Sequence, residues 1–397
     1  MNSKTNTIKA AAWVEKLPPY LFAKLDEASR RAKDAGMDVI DLGTGDPDIP
    51  TPAPVVTAMQ KACADPSTHK YPSYSGSLEF RTACTDWMNR RFGIKLDPQN
   101  QVMALIGAKE GVAHLVQAFV GPQDVVLATT PGYPPYFSSA TMVGAESYAM
   151  PLLAENDFLP RFDQVPEDVC HRTKIIFINY PNNPTGGVAT LEFFKTAIEF
   201  AKKHNALLVH DAAYSESYGP GEKPLSIFEA EGAEEIAVEM HSFSKAYNMC
   251  GWRIGFLAGN ASALNALGTV KKIIDSGPFT AVQKAAIAAL EMPEEEKQKL
   301  RDLWLARRAA VVEELKAAGI EFNETSVTIY VWAKTPEGFS DDEFCARLVE
   351  ESGVVVAPGA SFGSAGAGYF RIALCQPEDR LREAARRISE FLKKHGG

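Results

Sequence analysis

His241-Ser242-Phe243-Ser244-Lys245, followed by Gly251-Trp252-Arg253, gathers groups suited to one ligand. A lysine amine condenses with an aldehyde to give an imine. Hydroxyls one and three residues before that lysine, and a guanidinium eight residues after it, can hold a phosphate on the same molecule. A lone lysine is ordinarily a solvated surface charge. The company that Lys245 keeps, just after the apolar run Ile236–Met240, turns the reading toward a site.

Five further segments carry weaker signals of the same kind. His210-Asp211-Ala212-Ala213-Tyr214 ends another apolar run. A carboxylate there can hold a pyridine nitrogen protonated, with Tyr214 donating to a phenolic oxygen. It can equally cap the following helix. His210 has no second ligand at metal spacing along the chain, so no metal is expected. Pro181-Asn182-Asn183-Pro184-Thr185-Gly186-Gly187 is either a plain turn or a turn that presents the Asn183 amide. Ile106-Gly107-Ala108-Lys109 joins a strand to a helix, where free backbone N–H groups suit a phosphate. Tyr133, in Pro131-Gly132-Tyr133-Pro134, can stack on a ring or fill core. Arg371 interrupts an apolar strand; it either pairs with a substrate carboxylate or faces outward from an edge.

The elements that must position these residues alternate. Apolar, β-branched runs at Gln101–Ile106, Val125–Ala128, Lys174–Asn179, Ala206–His210, Ile236–Met240 and Ile254–Ala258 are separated by helical stretches such as Lys109–Val120 and Leu191–His204. Such alternation predicts a mainly parallel sheet with helices on both faces, and ligands beyond the carboxyl ends of its strands. The chemistry-bearing residues fall just after these runs. A charged helix is expected from Glu294 to Ala318, then a smaller α+β unit with strands at Val327–Trp332, Val354–Ala357 and Tyr369–Leu374 and helices at Asp341–Ser352 and Pro377–Lys394. Residues 1–48 are expected to form an arm and join that unit, giving a large domain at 49–290 and a small one completed by 291–397.

Composition narrows the function classes. The chain has 397 residues and a net charge of −9, with no basic cluster for nucleic acid. Its six cysteines include no C-x-x-C pair, against a zinc ribbon or redox pair. No apolar run approaches the roughly 18 residues of a spanning helix, and the N-terminus lacks a signal-peptide core. A cytoplasmic protein is expected. Gly363-Ser364-Ala365-Gly366-Ala367-Gly368 is glycine-rich but has no surrounding dinucleotide-binding unit, so a mobile loop is expected there rather than a dehydrogenase motif. A ligand sensor on this scaffold would need a DNA-binding module, for which there is no pattern.

With these motifs in this order, the chain resembles the class I/II aminotransferases, pyridoxal-phosphate enzymes of fold type I with a seven-stranded, mainly parallel sheet. The S-x-S-K and G-W-R-x-G elements carry the resemblance, supported by N-N-P-T-G and D-x-x-Y. It implies that Lys245 binds pyridoxal 5'-phosphate as a Schiff base. Ser242, Ser244, Arg253 and the backbone at Ala108 and Lys109 then hold the phosphate. Asp211, Tyr214, Asn183 and a stacking Tyr133 then contact the ring. It places Arg371 on the substrate α-carboxylate, with Gly43, Tyr20 and Asn183 beside the substrate. Tyr71 is implied to reach the phosphate of a neighbouring subunit, hence a homodimer with shared sites. Leu17–Phe22, Gly45–Asp48, His210–Tyr214 and Asp275–Gly277 look like the LL-diaminopimelate branch of lysine biosynthesis. Ser75 and Ala108 depart from it, standing where that branch usually has glutamate and serine. A broad-specificity aminotransferase and a β-lyase on the same fold are the alternatives.

Overall fold

The alternating runs become strands, which the computed structural model describes, with the rest of the chain, over residues 8–17 and 23–395. In chain order they are β1 (Ile40–Asp41), β2 (Val102–Leu105), β3 (Val125–Thr130), β4 (Glu146–Pro151), β5 (Thr173–Asn179), β6 (Leu207–Asp211), β7 (Ala237–Ser242), β8 (Gly255–Gly259), β9 (Tyr330–Lys334), β10 (Val354–Val355), β11 (Ala357–Pro358) and β12 (Tyr369–Ala373). Seven of them form one sheet in the order β2-β8-β7-β6-β5-β3-β4. β3 to β7 run parallel, while β8 is antiparallel to both β2 and β7. The central strands are buried throughout, as a sheet covered on both faces requires.

The sequence expectation missed β4. Only Met150 in it is buried, so this edge strand lacks the apolar run that marks the others. Elsewhere the ends shift by one to three residues. Ser242, expected just after a strand, is the last residue of β7 and caps the helix Phe243–Ala246 by accepting from the Ser244 N–H.

Local signals explain the covering helices. In Leu191–His204 the Thr190 hydroxyl accepts from the Phe193 N–H, Asn205 closes the end at φ 50°, and Phe193, Phe194, Ala197, Ile198 and Ala201 form the buried face. Leu78–Phe92 starts at Ser77, which accepts from the Phe80 N–H, and ends at Gly93 with φ 76°.

The C-terminal part holds an antiparallel sheet in the order β11-β12-β9, and β1 pairs with β10. Ala28, Ile40 and Leu42 share one apolar cluster with Trp304, Phe344 and Phe370. The long helix Glu294–Ala317 packs along Glu378–His395. The glycine-rich segment, expected as a mobile loop, forms a tight turn at Ser364–Gly366, directly after another at Gly359–Phe362. Gly132 N–H donates to Phe362 O at 2.9 Å, and Gly366 lies against Gly359 and Pro131. Side-chain-free positions let these backbones approach closely.

Candidate active site

The ends of β2, β3, β5, β6 and β7 share one rim of the sheet. Because β8 runs the other way, its first residue joins that rim: Gly255 pairs with Leu105 on one side and Ser242 on the other. Arg253, two residues earlier, is thereby set beside the Ile106–Lys109 turn. Gly107, at φ 75°, opens the helix Ala108–Phe119, and a Cβ there would overlap the Arg253 guanidinium. The Ala108 N–H lies at the same corner, since a Cβ on Gly255 would sit 3.2 Å from it. Ser242, paired with Gly255, joins the corner from β7, Ser244 follows in the short helix, and Arg253 Nη1 donates to Cys250 O at 2.8 Å.

Lys245 is half-buried, and its amine donates to the Gly45 carbonyl and to Cys250 Sγ, the latter at 3.3 Å. Burial pulls the ammonium downward, but Tyr330, Cys250 and Cys375 outweigh it and hold Lys245 above the usual lysine value. Asp211 ends β6 almost wholly buried. Its carboxylate accepts from the Tyr136 hydroxyl at 2.8 Å and the Ala213 N–H at 3.2 Å. Burial pushes this carboxyl upward against those hydrogen bonds. Tyr214 and Tyr330 share a hydroxyl contact at 3.1 Å. Tyr133 packs edge-on to Tyr136, ring centres 5.6 Å apart, and Lys109 Nζ lies 6.0 Å from its ring.

Arg371 is 4% exposed, so it does not face outward from an edge. Its Nη1 donates to Asn183 Oδ1 at 2.9 Å and its Nη2 to Gly43 O at 2.7 Å. The guanidinium lies 4.1 Å from the Tyr330 ring centre and 4.6 Å from that of Phe362. Its Nε has no hydrogen-bond partner, and among the described residues no carboxylate pairs with it. A buried cation in that state has donor capacity left for an anion.

Tyr71 stands apart, 92% exposed, and Tyr20 lies outside the described residues. Tyr136, Tyr330 and Cys250, which the sequence does not single out, also contact these side chains, as does Gly45. No spacing rule links them to Lys245 or Asp211; they arrive through the fold. His210 also has a carboxylate neighbour that chain spacing hid, Glu239 on the adjacent strand, at 2.8 Å. The residues with metal-like spacing are elsewhere, Glu110, His114 and Asp275. The fully buried Lys271 ammonium already sits 3.0–3.2 Å from both carboxylates, supplying the positive charge.

These features fit a phosphorylated pyridine aldehyde. Asp211 is a buried carboxylate with no lysine or arginine partner among the described residues, which a protonated ring nitrogen would supply. The corner at Gly107, Ala108, Ser242, Ser244 and Arg253 offers N–H, O–H and guanidinium donors to a phosphate. Lys245 follows Ser244 directly in the short helix after β7.

The comparisons with known proteins agree with this geometry. Residues 37–388 match the family described as aminotransferase class I and II. The LL-diaminopimelate aminotransferase of Aquifex aeolicus (strain VF5) is 51% identical over 375 residues, covering 94% of this chain and 97% of that protein. The substrate-bound BacF structure from Bacillus subtilis superposes with a TM-score of 0.92 at 35% identity, covering 97% of this chain and 98% of that one. A probable N-succinyldiaminopimelate aminotransferase from Thermus thermophilus gives 0.88 at 38% identity, covering 94% and 100%. With a family match across most of its length and a relative sharing half its residues end to end, this chain belongs to the class I and II aminotransferases and, like them, works with pyridoxal phosphate.

Proposed function

We propose that the chain moves an amino group from LL-diaminopimelate to 2-oxoglutarate in lysine biosynthesis. What supports this substrate is the 51% identity to the Aquifex enzyme over nearly both whole chains. Arg371, buried and without an anionic partner, supports an α-carboxylate as the group recognised.

Pyridoxal phosphate, when bound, supplies the aldehyde that takes up the amino group and a ring that draws electrons from Cα. Lys245 would hold it covalently, and its Nζ is the group that would take the Cα proton and return it, acting as base and then acid. Asp211 holds a proton on the ring nitrogen by charge, and Tyr136 keeps that carboxylate in place. Tyr214 and Asn183 donate to the phenolic oxygen. Since Asn183 Oδ1 accepts from Arg371, its Nδ2 is left for that role. Arg371 pairs with the α-carboxylate beside Gly43 and so orients the Cα–H bond. Ser242, Ser244, Arg253 and the N–H groups of Ala108 and Lys109 hold the phosphate, and Tyr133 stacks on the ring. Tyr20 lies beside the substrate in this reading.

The proposal includes a large domain at 49–290, a small one from 1–48 with 291–397, and a cytoplasmic homodimer. Exposed Tyr71, Tyr74, Ile273, Ile274 and Phe279 support the dimer. They lie on segments that adjoin where Gly277 approaches Ser73 O. Such apolar surface favours a partner, and Tyr71 is then free to reach its phosphate.

The deciding experiment incubates purified enzyme with LL-diaminopimelate and 2-oxoglutarate and measures glutamate. Glutamate from this donor, well above that from aspartate or aromatic amino acids, supports the proposal. Equal use of all donors favours the broad-specificity reading, to which Ser75 points because a hydroxyl offers a distal ammonium no charge.

A further inference from the structure

His210, one residue before Asp211, is wholly buried and pairs in register with Glu239 of β7, also wholly buried. His210 Nδ1 meets Glu239 Oε2 at 2.8 Å, and its Nε2 meets the Tyr180 carbonyl at 3.0 Å. Glu239 Oε1 meets His241 Nε2 at 2.8 Å. Glu239 also accepts from the Ser226 hydroxyl, at 2.9 and 3.0 Å, and from the Ile227 N–H at 2.8 Å. His241 Nδ1 lies 3.5 Å from the Ser215 hydroxyl.

The chemistry of the partners sets the proton count. A carboxylate and a carbonyl both accept and neither donates. His210 satisfies both contacts only with an N–H on each ring nitrogen, as an imidazolium. His241 faces one acceptor and one hydroxyl that can donate, so a neutral ring with its proton on Nε2 suffices. The buried cluster then holds one cation and one anion. Burial opposes the Glu239 charge, but the hydrogen bonds from His210 and His241 outweigh it and hold that carboxyl well below its usual range.

We propose that His210 is a positioning residue for transamination: fixed as an imidazolium by Glu239 and the Tyr180 carbonyl, it keeps the adjacent buried Asp211 ionised. The same contact ties the Tyr180–Asn183 turn to β6, so one cluster sets the Asn183 amide and the Asp211 carboxylate together. This rests on Asp211 acting as the partner of the ring nitrogen. The rings packed around the two histidines are Phe194, 4.9 Å from His210, and Trp87, Phe92 and Phe256, at 5.0, 6.2 and 4.8 Å from His241. Tyr136 faces Asp211. The charged groups reaching the cluster are Glu229, which accepts from the Ser226 N–H, and Arg91, paired with Glu216 and donating to Ser215 O. The His210 charge favours the ionised form of the Asp211 carboxyl, as does any charge on His241.

Nitrogen-15 NMR of histidine-labelled holoenzyme reads the claim directly, with the His210 signals assigned by their loss in His210→Gln. Protons on both His210 nitrogens from about pH 6 to pH 8, where a free histidine has largely lost one, support it. Glu239→Gln removes the anion that holds the second proton on His210; the neutral ring that results no longer favours the ionised Asp211, which then takes up a proton more readily. The acid limb of kcat then moves up by about one pH unit, with the cofactor's visible absorbance shifting alike and KM changing less than about twofold. A single proton on wild-type His210, or an unshifted pH profile in folded Glu239→Gln, overturns the proposal. If that variant does not fold, the wild-type spectrum decides. Full turnover by Asp211→Asn would instead end the reading of Asp211, a result separate from the proton count on His210.

Discussion

Arg371→Leu should separate amino acids from amines as substrates. In the structure the guanidinium donates to Gly43 O and Asn183 Oδ1, lies between Tyr330 and Phe362, and keeps an unpartnered Nε. A substrate α-carboxylate meeting it forms a buried, hydrogen-bonded charge pair. Removing one partner of such a pair costs about 3–5 kcal/mol, and each ~1.4 kcal/mol is a factor of ten in rate. For an amino acid, kcat/KM should fall about 10²- to 10⁴-fold. The corresponding amine has no carboxylate to lose contact with, and should change less than about threefold. Gly43 O and Asn183 Oδ1 each lose a donor, about 1 kcal/mol apiece, so a thermal melt checks that the variant is folded at the assay temperature. The assay is single turnover of cofactor-loaded enzyme, followed by visible absorbance, with each amino acid paired with its decarboxylated amine. Equal losses for the two would refute the clamp.

Lys245→Ala should lack the bound cofactor's visible band and lose transamination by several orders of magnitude; near-normal turnover would end the proposed role. Asp211→Asn should bind cofactor yet turn over about a hundredfold slower, and unchanged turnover would remove Asp211 from the chemistry. The same substitution should stabilise the cofactor-free protein at neutral pH. Burial raises the Asp211 carboxyl, so its ionisation penalty is absent below the ordinary aspartate value of about 3.9 and appears as pH rises through the folded-state value. Calorimetry should show a higher Tm for the variant near pH 7.5 and a gap that closes toward pH 4; a gap of the opposite sign contradicts the burial argument. Gly107→Ala places a side chain against Arg253 at a φ of 75°, a strain of about 1–2 kcal/mol. Cofactor affinity, titrated into apoenzyme, should fall about tenfold, and an unchanged value would show that this corner does not hold the phosphate.

The parts of the site that lie close together in sequence were legible there. Ser242, Ser244, Lys245 and Arg253 fall within twelve residues, and strand ends announced Asp211 and Asn183. What reads poorly is whatever depends on strand direction and on pairing across the sheet. The antiparallel course of β8 brings Arg253 to the rim, yet Gly255–Gly259 looks like any buried strand. The exposure of Glu146–Pro151, with only Met150 buried, hid β4. Lys245 meets Gly45, Tyr214 meets Tyr330 and Arg371 meets Gly43 across 116 to 328 residues. His210 and Glu239 become partners only through strand register. Arg371 was ambiguous because alternation along a strand does not reveal which face is covered; the Phe362 and Tyr330 rings settle it.

Borohydride reduction of the enzyme as isolated, followed by peptide mass mapping, tests the covalent role of Lys245 most directly. The expected result is a phosphopyridoxyl group on the peptide containing Lys245 and on no other. An unmodified Lys245 peptide, or the group on a different lysine, would contradict it.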